Sequence, residues 1–283
     1  QALIITKTYK QHENEPIILK RAYALANALR ELEIGIENEE LIVGNRTKGV
    51  RYGVVFPESG ISWVDREFET ISTRKQDKFL VRDEDIKIFR EQIVPYWKGK
   101  SLEDVIKQNF GKEISAINKV VKINQTDHAQ GHICPNVEKW LQKGVSGLLE
   151  DAQNHYENAD EDKKNFYQAI IIVMKAVQNF MLRYHDLLIA TAKDDEKNRA
   201  ICKNISQRPP QTFHEAVQAT WFLFVILHME SNASSFSPGR LDKILYPYYI
   251  KDIENNILTK DEALEIIECL WLKFNEIVYL RNQ

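Results

Sequence analysis

Glycine is scarce: 11 of 283 residues, roughly 4% against a usual ~7%. That shortage argues for long helices and against a phosphate-cradling glycine loop. No Gly-x-Gly-x-x-Gly or Walker pattern occurs, and no Ser-His-Asp pattern either. Cysteine is limited to Cys134, Cys202 and Cys269. Three thiols far apart form no disulfide framework, so a reducing, cytoplasmic setting is the expectation. No run approaches the roughly 18 uncharged apolar residues of a membrane span. The longest candidate, Ala219 to Met229, carries His228 and reads as a buried helix. A charge excess is also missing: 38 basic and 41 acidic residues give a net charge of -3. Nothing there points to nucleic acid or an anionic membrane. The N-terminus lacks a charged-then-apolar signal pattern.

What remains is the composition of a globular protein, 43% hydrophobic, 28% charged and 10% aromatic, and long enough to bury a core without disulfides. Residues 15–40 carry apolar side chains at helical spacing, and Gly35 offers a left-handed cap. Residues 40–60 are β-branched and punctuated by glycine, with Pro57 and Gly60 closing them, which predicts short extended segments and turns. Asp83 opens a helix that Pro95 breaks or kinks near its end. Ser101 and Asp104 make a weaker capping signal. Residues 119–135 are the second strand candidate. Helical patterns follow over 136–154, 160–195 and 212–230, with Arg208-Pro209-Pro210 as a boundary and Thr212/Glu215 as a capping box. Residues 231–242 form a polar loop of small residues. Thr259/Glu262 cap a last helix predicted to run to the end of the chain. No 20–50-residue repeat is visible. The fold expected is mostly α with a few short strands, in one unit over residues 1–283.

The densest reactive cluster is His128-Ala-Gln-Gly-His132-Ile-Cys134. In an extended segment His128, His132 and Cys134 share a face. A zinc site there lacks a fourth ligand, so a metal is not expected. His132 is either a satisfied turn histidine or an acid/base group at a strand end. Cys134 has no aligned base and reads as a buried, inert thiol. Cys202 and Cys269 read as core. Arg46, Arg51 and Arg74 read as solvated loop cations first and anion ligands second. The serines of 231–237 suit tight turns, or the lining of a polar pocket.

Several blocks, taken in order, resemble a known family. They are ELIVGNRT (40–47), YGVVFPE (52–58), TRKQDKF (73–79), PYWKGKSLEDVI (95–106), GHICPNVEKWLQKGVSGL (131–148), PPQTFHEAVQATWF (209–222) and ESNASSFSPGRLDKILYPYY (230–249). Together they resemble the glycyl radical enzymes of the pyruvate formate-lyase and glycerol dehydratase type, nearer the dehydratase, lyase and arylacetate decarboxylase branches. The resemblance implies the N-terminal part of a ten-stranded α/β barrel wrapped by helices. It implies a lyase of decarboxylase or dehydratase type, a small-molecule substrate, and a glycyl radical installed by a radical-SAM activating enzyme. A homodimer and a cytoplasmic location are further expectations. The sequence has no Gly-Cys-Val-Glu-like loop and no Arg-Val-x-Gly-Tyr motif. None of the radical residues is therefore assigned here, no cofactor is expected on this chain, and the chain alone is expected to be inactive. His132 matches the histidine that dehydratase-like members place near the substrate hydroxyl. Ser235 matches a pocket serine, with Ala233 and Ser234 replacing the Gly-His common before it. The alternative from another class is a non-catalytic helical binding or scaffold protein derived from the family.

Overall fold

A computed structural model describes residues 1–121, 133–191, 195–231 and 236–281. Helices account for all regular structure among them: α1 (Ala2–Gln11), α2 (Ile17–Glu31), α3 (Ser62–Glu67), α4 (Asp83–Ile88), α5 (Val94–Trp97), α6 (Leu102–Ile117), α7 (Val137–Glu157), α8 (Glu161–Ala190), α9 (Glu196–Gln207), α10 (Phe213–Glu230), α11 (Leu241–Glu254) and α12 (Lys260–Phe274). The long α8 packs against α2, α7 and α9, and α10 lies against α7, α9, α11 and α12. α10 is apolar nearly all round: Ala216, Val217, Trp221, Phe222 and Val225 are fully buried. Each large side chain sealed this way contributes roughly 1.5–3 kcal/mol. A second cluster joins Ile5 and Tyr9 of α1 to Trp63, Phe68, Phe89 and Trp97.

The expected strands and barrel portion are not found: no strand occurs among the described residues. Residues 42–46 form no regular structure, with bends at 42 and 46, and their backbone is satisfied by side chains rather than by a neighbouring strand. Gln218 of α10 accepts from the Val43 N–H at 2.9 Å and donates to the Val43 carbonyl at 2.8 Å. The Trp221 indole donates to the Gly44 carbonyl at 2.7 Å. Tyr184 of α8 accepts from the Asn45 N–H at 3.0 Å. Gly44 has φ +113°, and a Cβ there would come within 2.8 Å of the Phe222 ring. Every backbone group must find a partner, and here helix side chains serve that purpose. The second strand candidate opens on a turn at 119–120 and a bend at 121, and residues 122–132 lie outside the described set.

Other boundaries moved for local reasons. α2 ends at Glu31, with Leu32 turning extended at φ -60° and ψ 136°, so Gly35 is not its cap. Between Asp83 and Trp97 the helix passes through a π turn at Phe89–Ile93 just before Pro95, the expected break. Ser101 caps α6, accepting from the Asp104 N–H at 3.2 Å. The last helix stops at Phe274. The Asn275 amide donates to the Trp271 carbonyl at 2.9 Å, and the chain continues without regular structure, with Ile277 and Leu280 buried. Thr259 and Glu262 form the complete capping box. Thr212 caps α10, but Glu215 turns away to the Gln211 N–H at 2.7 Å and to Arg208, so that box is only half made.

Candidate functional site

Two segments meet where α10 ends. Ser231 leaves the helix extended (φ -145°, ψ 140°), its N–H closing on the Leu227 carbonyl at 3.1 Å. The chain returns at Phe236, whose ring meets His228 edge-on at 4.6 Å. The Ser237 N–H then donates to the Ile133 carbonyl at 2.9 Å. Gly239, with φ +74°, lies so near Cys134 that a Cβ would stand 3.3 Å from its Sγ. Asn136 caps α7 immediately afterwards, accepting from the Lys139 N–H at 2.8 Å. Residues 133–136 and 236–240 are thus stitched together beside the last turn of α10.

His128, His132 and Ser235, named from the sequence, lie outside the described residues. The structure brings together the residues that follow His132 and Ser235, and describes nothing of the three side chains. Cys134 corrects an expectation: its thiol is exposed, because 133–136 runs along the surface of α11's entry loop rather than into the core. Cys202 is buried as expected, and burial raises its thiol pKa; Cys269 is half-buried. Among the described residues no group of three or more His, Cys, Asp or Glu is placed to hold a metal.

The floor beneath these segments is a polar cluster that the sequence did not single out. His228 is 1% exposed. Its Nδ1 lies 2.7 Å from the Phe224 carbonyl, and its Nε2 lies 2.7 Å from the Tyr279 hydroxyl. A carbonyl only accepts, so Nδ1 carries the proton and Nε2 accepts from Tyr279. Burial is the main cause that pulls the His228 pKa down to about 4, and nearby Arg46 adds to it. This histidine is neutral, with its lone pair engaged. Arg46 corrects the reading of a solvated cation: it is 1% exposed, its guanidinium contacts the Val278 carbonyl, and it stands 5.8 Å from the Tyr279 ring centroid. Its Nε and Nη1 have no partner among the described residues, and burial lowers its pKa to about 10. Arg74 is half-buried, paired with Glu67 at 3.2 Å and donating to the Arg281 carbonyl at 2.8 Å. Arg51 alone stays exposed as read, although its N–H donates to the Glu276 carbonyl at 2.9 Å. Arg46, Arg51 and Arg74 therefore hold the irregular 276–281 segment against 44–51 and the 67–77 turn. One signal for this was available: His228 interrupts the longest apolar run, where a polar group needs a partner.

These side chains orient and seal; they include no paired nucleophile and base. The arrangement suits a pocket wall rather than a reacting centre.

The pyruvate formate-lyase-like family model matches residues 1–283. Over 98% of its length the chain is 32% identical to a probable dehydratase, YbiW, of Escherichia coli, of which it covers 36%. It superposes on the glycerol-bound form of the B12-independent glycerol dehydratase from Clostridium butyricum with a TM-score of 0.92 at 32% identity, covering 100% of this chain and 38% of that one. A glycyl radical enzyme from Archaeoglobus fulgidus gives a TM-score of 0.91 at 32% identity, covering 98% of this chain and 38% of that one. The chain belongs to the pyruvate formate-lyase-like family, that of the glycyl radical enzymes. It spans little more than a third of the length of these relatives. No helix among the described residues is long and apolar enough to cross a membrane.

Proposed function

We propose that this chain is the N-terminal part of a glycyl radical lyase, supplying a helical shell and one wall of the substrate pocket. In the longer protein the reaction is a radical cleavage of decarboxylase or dehydratase type on a small organic molecule. His132 and Ser235 face that substrate as hydrogen-bonding groups. The observation that supports this is the 2.9 Å bond from the Ser237 N–H to the Ile133 carbonyl. It holds the flanks of the two segments side by side, as a shared pocket wall requires. The buried His228–Tyr279 pair and Phe236 back that wall and exclude water from it. The radical is not placed on this chain, because the residues that would carry it do not occur in its sequence. A radical-SAM activating enzyme is the expected partner, and a cytoplasmic homodimer the expected form.

Anaerobic treatment of the purified 283-residue chain with its activating enzyme, followed by EPR, tests the reading. No glycyl doublet is expected from this chain, whereas the longer protein gives one. A doublet from the 283 residues alone overturns it. In the longer protein, His132→Ala and Ser235→Ala are expected to cut turnover by about 10²-fold or more while radical content is retained, in line with loss of a positioned hydrogen-bonding or proton-transfer group. Unchanged turnover in both removes them from the pocket.

A further inference from the structure

The end of α10 is gripped from the opposite side by α1 and α2. The last carbonyls of a helix have no partner within it. Here the Gln1 side-chain amide donates to the Met229 carbonyl at 2.8 Å. Arg21 of α2 pairs with the Glu230 carboxylate, and its Nη2 lies 3.5 Å from the Glu230 carbonyl. Glu230 is the residue before Ser231, so this grip fixes where the chain leaves the helix.

A cavity of about 10 Å³ lies beside the pair, with Tyr9, Arg21, Glu58 and Glu230 as its polar lining and Ile5 and Met229 among its apolar lining. Such a space is near the lower limit for one water, which needs two to four polar partners, and the four side chains can provide them. Glu58 sits on a fixed turn: its carbonyl accepts from the Leu102 N–H at 2.9 Å, and the next carbonyl accepts from Glu103 at 3.0 Å. Its Oε2 is sealed from solvent and has no hydrogen-bond partner. A sealed, unpartnered carboxyl oxygen beside an ion pair is costly when ionised. Burial accordingly raises the Glu58 pKa to about 7, with Glu230 pushing the same way and Arg21 opposing. The charged and titratable groups facing it are Arg21 from α2, Tyr9 from α1 and Glu230 from α10, with Tyr96 of α5 beyond Tyr9. When Glu58 is protonated, Arg21 serves one carboxylate. When Glu58 is ionised, two carboxylates share one guanidinium.

We propose that Glu58 is a positioning residue for the end of α10, where the chain leaves at Ser231 toward the 236–240 segment, acting with one cavity water through Arg21 and Glu230, so that its ionisation loosens the hold on that helix end. The consequence for a substrate rests on the pocket-wall reading of that segment; the contact itself does not.

The test is an NMR titration of the 283-residue chain from pH 5.5 to 8.5, reading the ¹³C carboxyl signal of Glu58 and the ¹⁵N amides of Ser231 and Ser237. The Glu58 carboxyl is expected to titrate near pH 7, against ~4.3 for a free glutamate, and the two amides are expected to move with the same midpoint. In Glu58→Gln, which keeps the shape of the protonated acid, the amides hold the low-pH position throughout. In Arg21→Lys, which loses the forked donor, Glu58 still titrates and the amides no longer follow. A Glu58 midpoint near 4, amides that stay still through the Glu58 midpoint, or amides that move equally in Glu58→Gln would each overturn the proposal. Should Glu58→Gln not fold, coincidence or not of the midpoints in the unmodified chain decides. Failure of the pocket reading would appear instead in the turnover of the His132 and Ser235 variants.

Discussion

The His228 imidazole and the Tyr279 hydroxyl meet at 2.7 Å, joining the last turn of α10 to the irregular 276–281 segment. Because Nδ1–H is spent on the Phe224 carbonyl, Nε2 of the neutral ring accepts from the Tyr279 hydroxyl. His214, at the other end of α10, has the opposite tautomer: its Nε2 donates to the Leu41 carbonyl at 2.7 Å. Burial lowers its pKa also to about 4. Both histidines titrate near 6.5 when the chain is unfolded. Between those values the unfolded chain binds more protons, so stability is complete above about pH 6.5 and falls as pH drops toward 4. Urea midpoints are expected to decrease from pH 7.5 to pH 5.0, each histidine giving up to about 3 kcal/mol over the full window at ~1.4 kcal/mol per unit. His228→Gln should flatten the slope. Tyr279→Phe should cost about 1–3 kcal/mol at pH 7.5, by leaving Nε2 buried and unpaired.

Glu215 anchors the joint between α9 and α10. Arg208 donates to its two oxygens at 2.8 and 2.9 Å, Gln211 N–H at 2.7 Å and the Asn204 amide at 2.9 Å. Burial pushes its pKa up, but these four donors together hold it below the ordinary value. The resulting stability is present above the unfolded pKa, near 4.3, and is lost as pH falls through the folded one. Glu215→Ala strands Arg208 and the Gln211 N–H, and a loss of about 3 kcal/mol is expected by denaturation at pH 7.5. The loss should shrink as pH falls through the folded Glu215 pKa, because protonation then weakens the same contacts in the unsubstituted protein.

α7 contains two glycines with opposite roles. Gly144 has φ +62°, and a Cβ there would stand 2.9 Å from the Cα and N of Pro209, both backbone atoms that cannot swing aside. Gly147 sits in the helix with only the flexible Lys143 side chain near, at 3.5 Å. Gly144→Ala is expected to destabilise by more than about 1 kcal/mol. Gly147→Ala is expected to stabilise by about 0.5–1 kcal/mol, since it removes unfolded-state freedom without strain. Melting temperatures moving in opposite directions check the pair.

Helix starts were legible because their signals are local. Thr259 and Glu262 satisfy each other within one turn, and Ser101 needs only Asp104. The strand expected within 40–60 does not form at Val43–Asn45 because the partners there, Gln218, Trp221 and Tyr184, lie far along the chain and use side-chain atoms. β-branched residues favour an extended backbone but do not say what will bond it. The end of α12 was missed likewise: Ile277 and Leu280 continue an apolar pattern that fits a helix, yet they fill core positions from an irregular chain. Arg46 looked like a loop cation because a charge shows its burial only through tertiary contacts. The family blocks were legible as order along the chain, a signal that needs no geometry.

Lys273 shows how such a buried charge is sustained, and what its removal should do. It is 4% exposed, its Nζ lying 2.9 Å from Glu40 Oε1 and 2.6 Å from Glu276 Oε2, and 5.5 Å from the Trp221 ring centroid. Glu276 also accepts from the Asn45 amide at 3.0 Å, so the lysine joins α12 to the irregular 42–46 segment. Burial already raises the Glu40 pKa, with Lys273 opposing it. Lys273→Met keeps the apolar stem and removes the cation, leaving two carboxylates facing each other. A buried charge stripped of its partner costs about 3–5 kcal/mol, and the exposure of Glu40 and Glu276, at 12 and 19%, places this case at the lower end. The sign of its pH dependence is diagnostic. With the cation gone, Glu40 should titrate further above its unfolded value, so proton uptake favours the folded state of the variant. The difference between the two proteins should therefore narrow as pH falls from 7.5 to 5.0, over the range in which the histidines weaken both. Urea midpoints at the two pH values measure it, and a difference that stayed constant would mean that Lys273 contributes packing rather than charge.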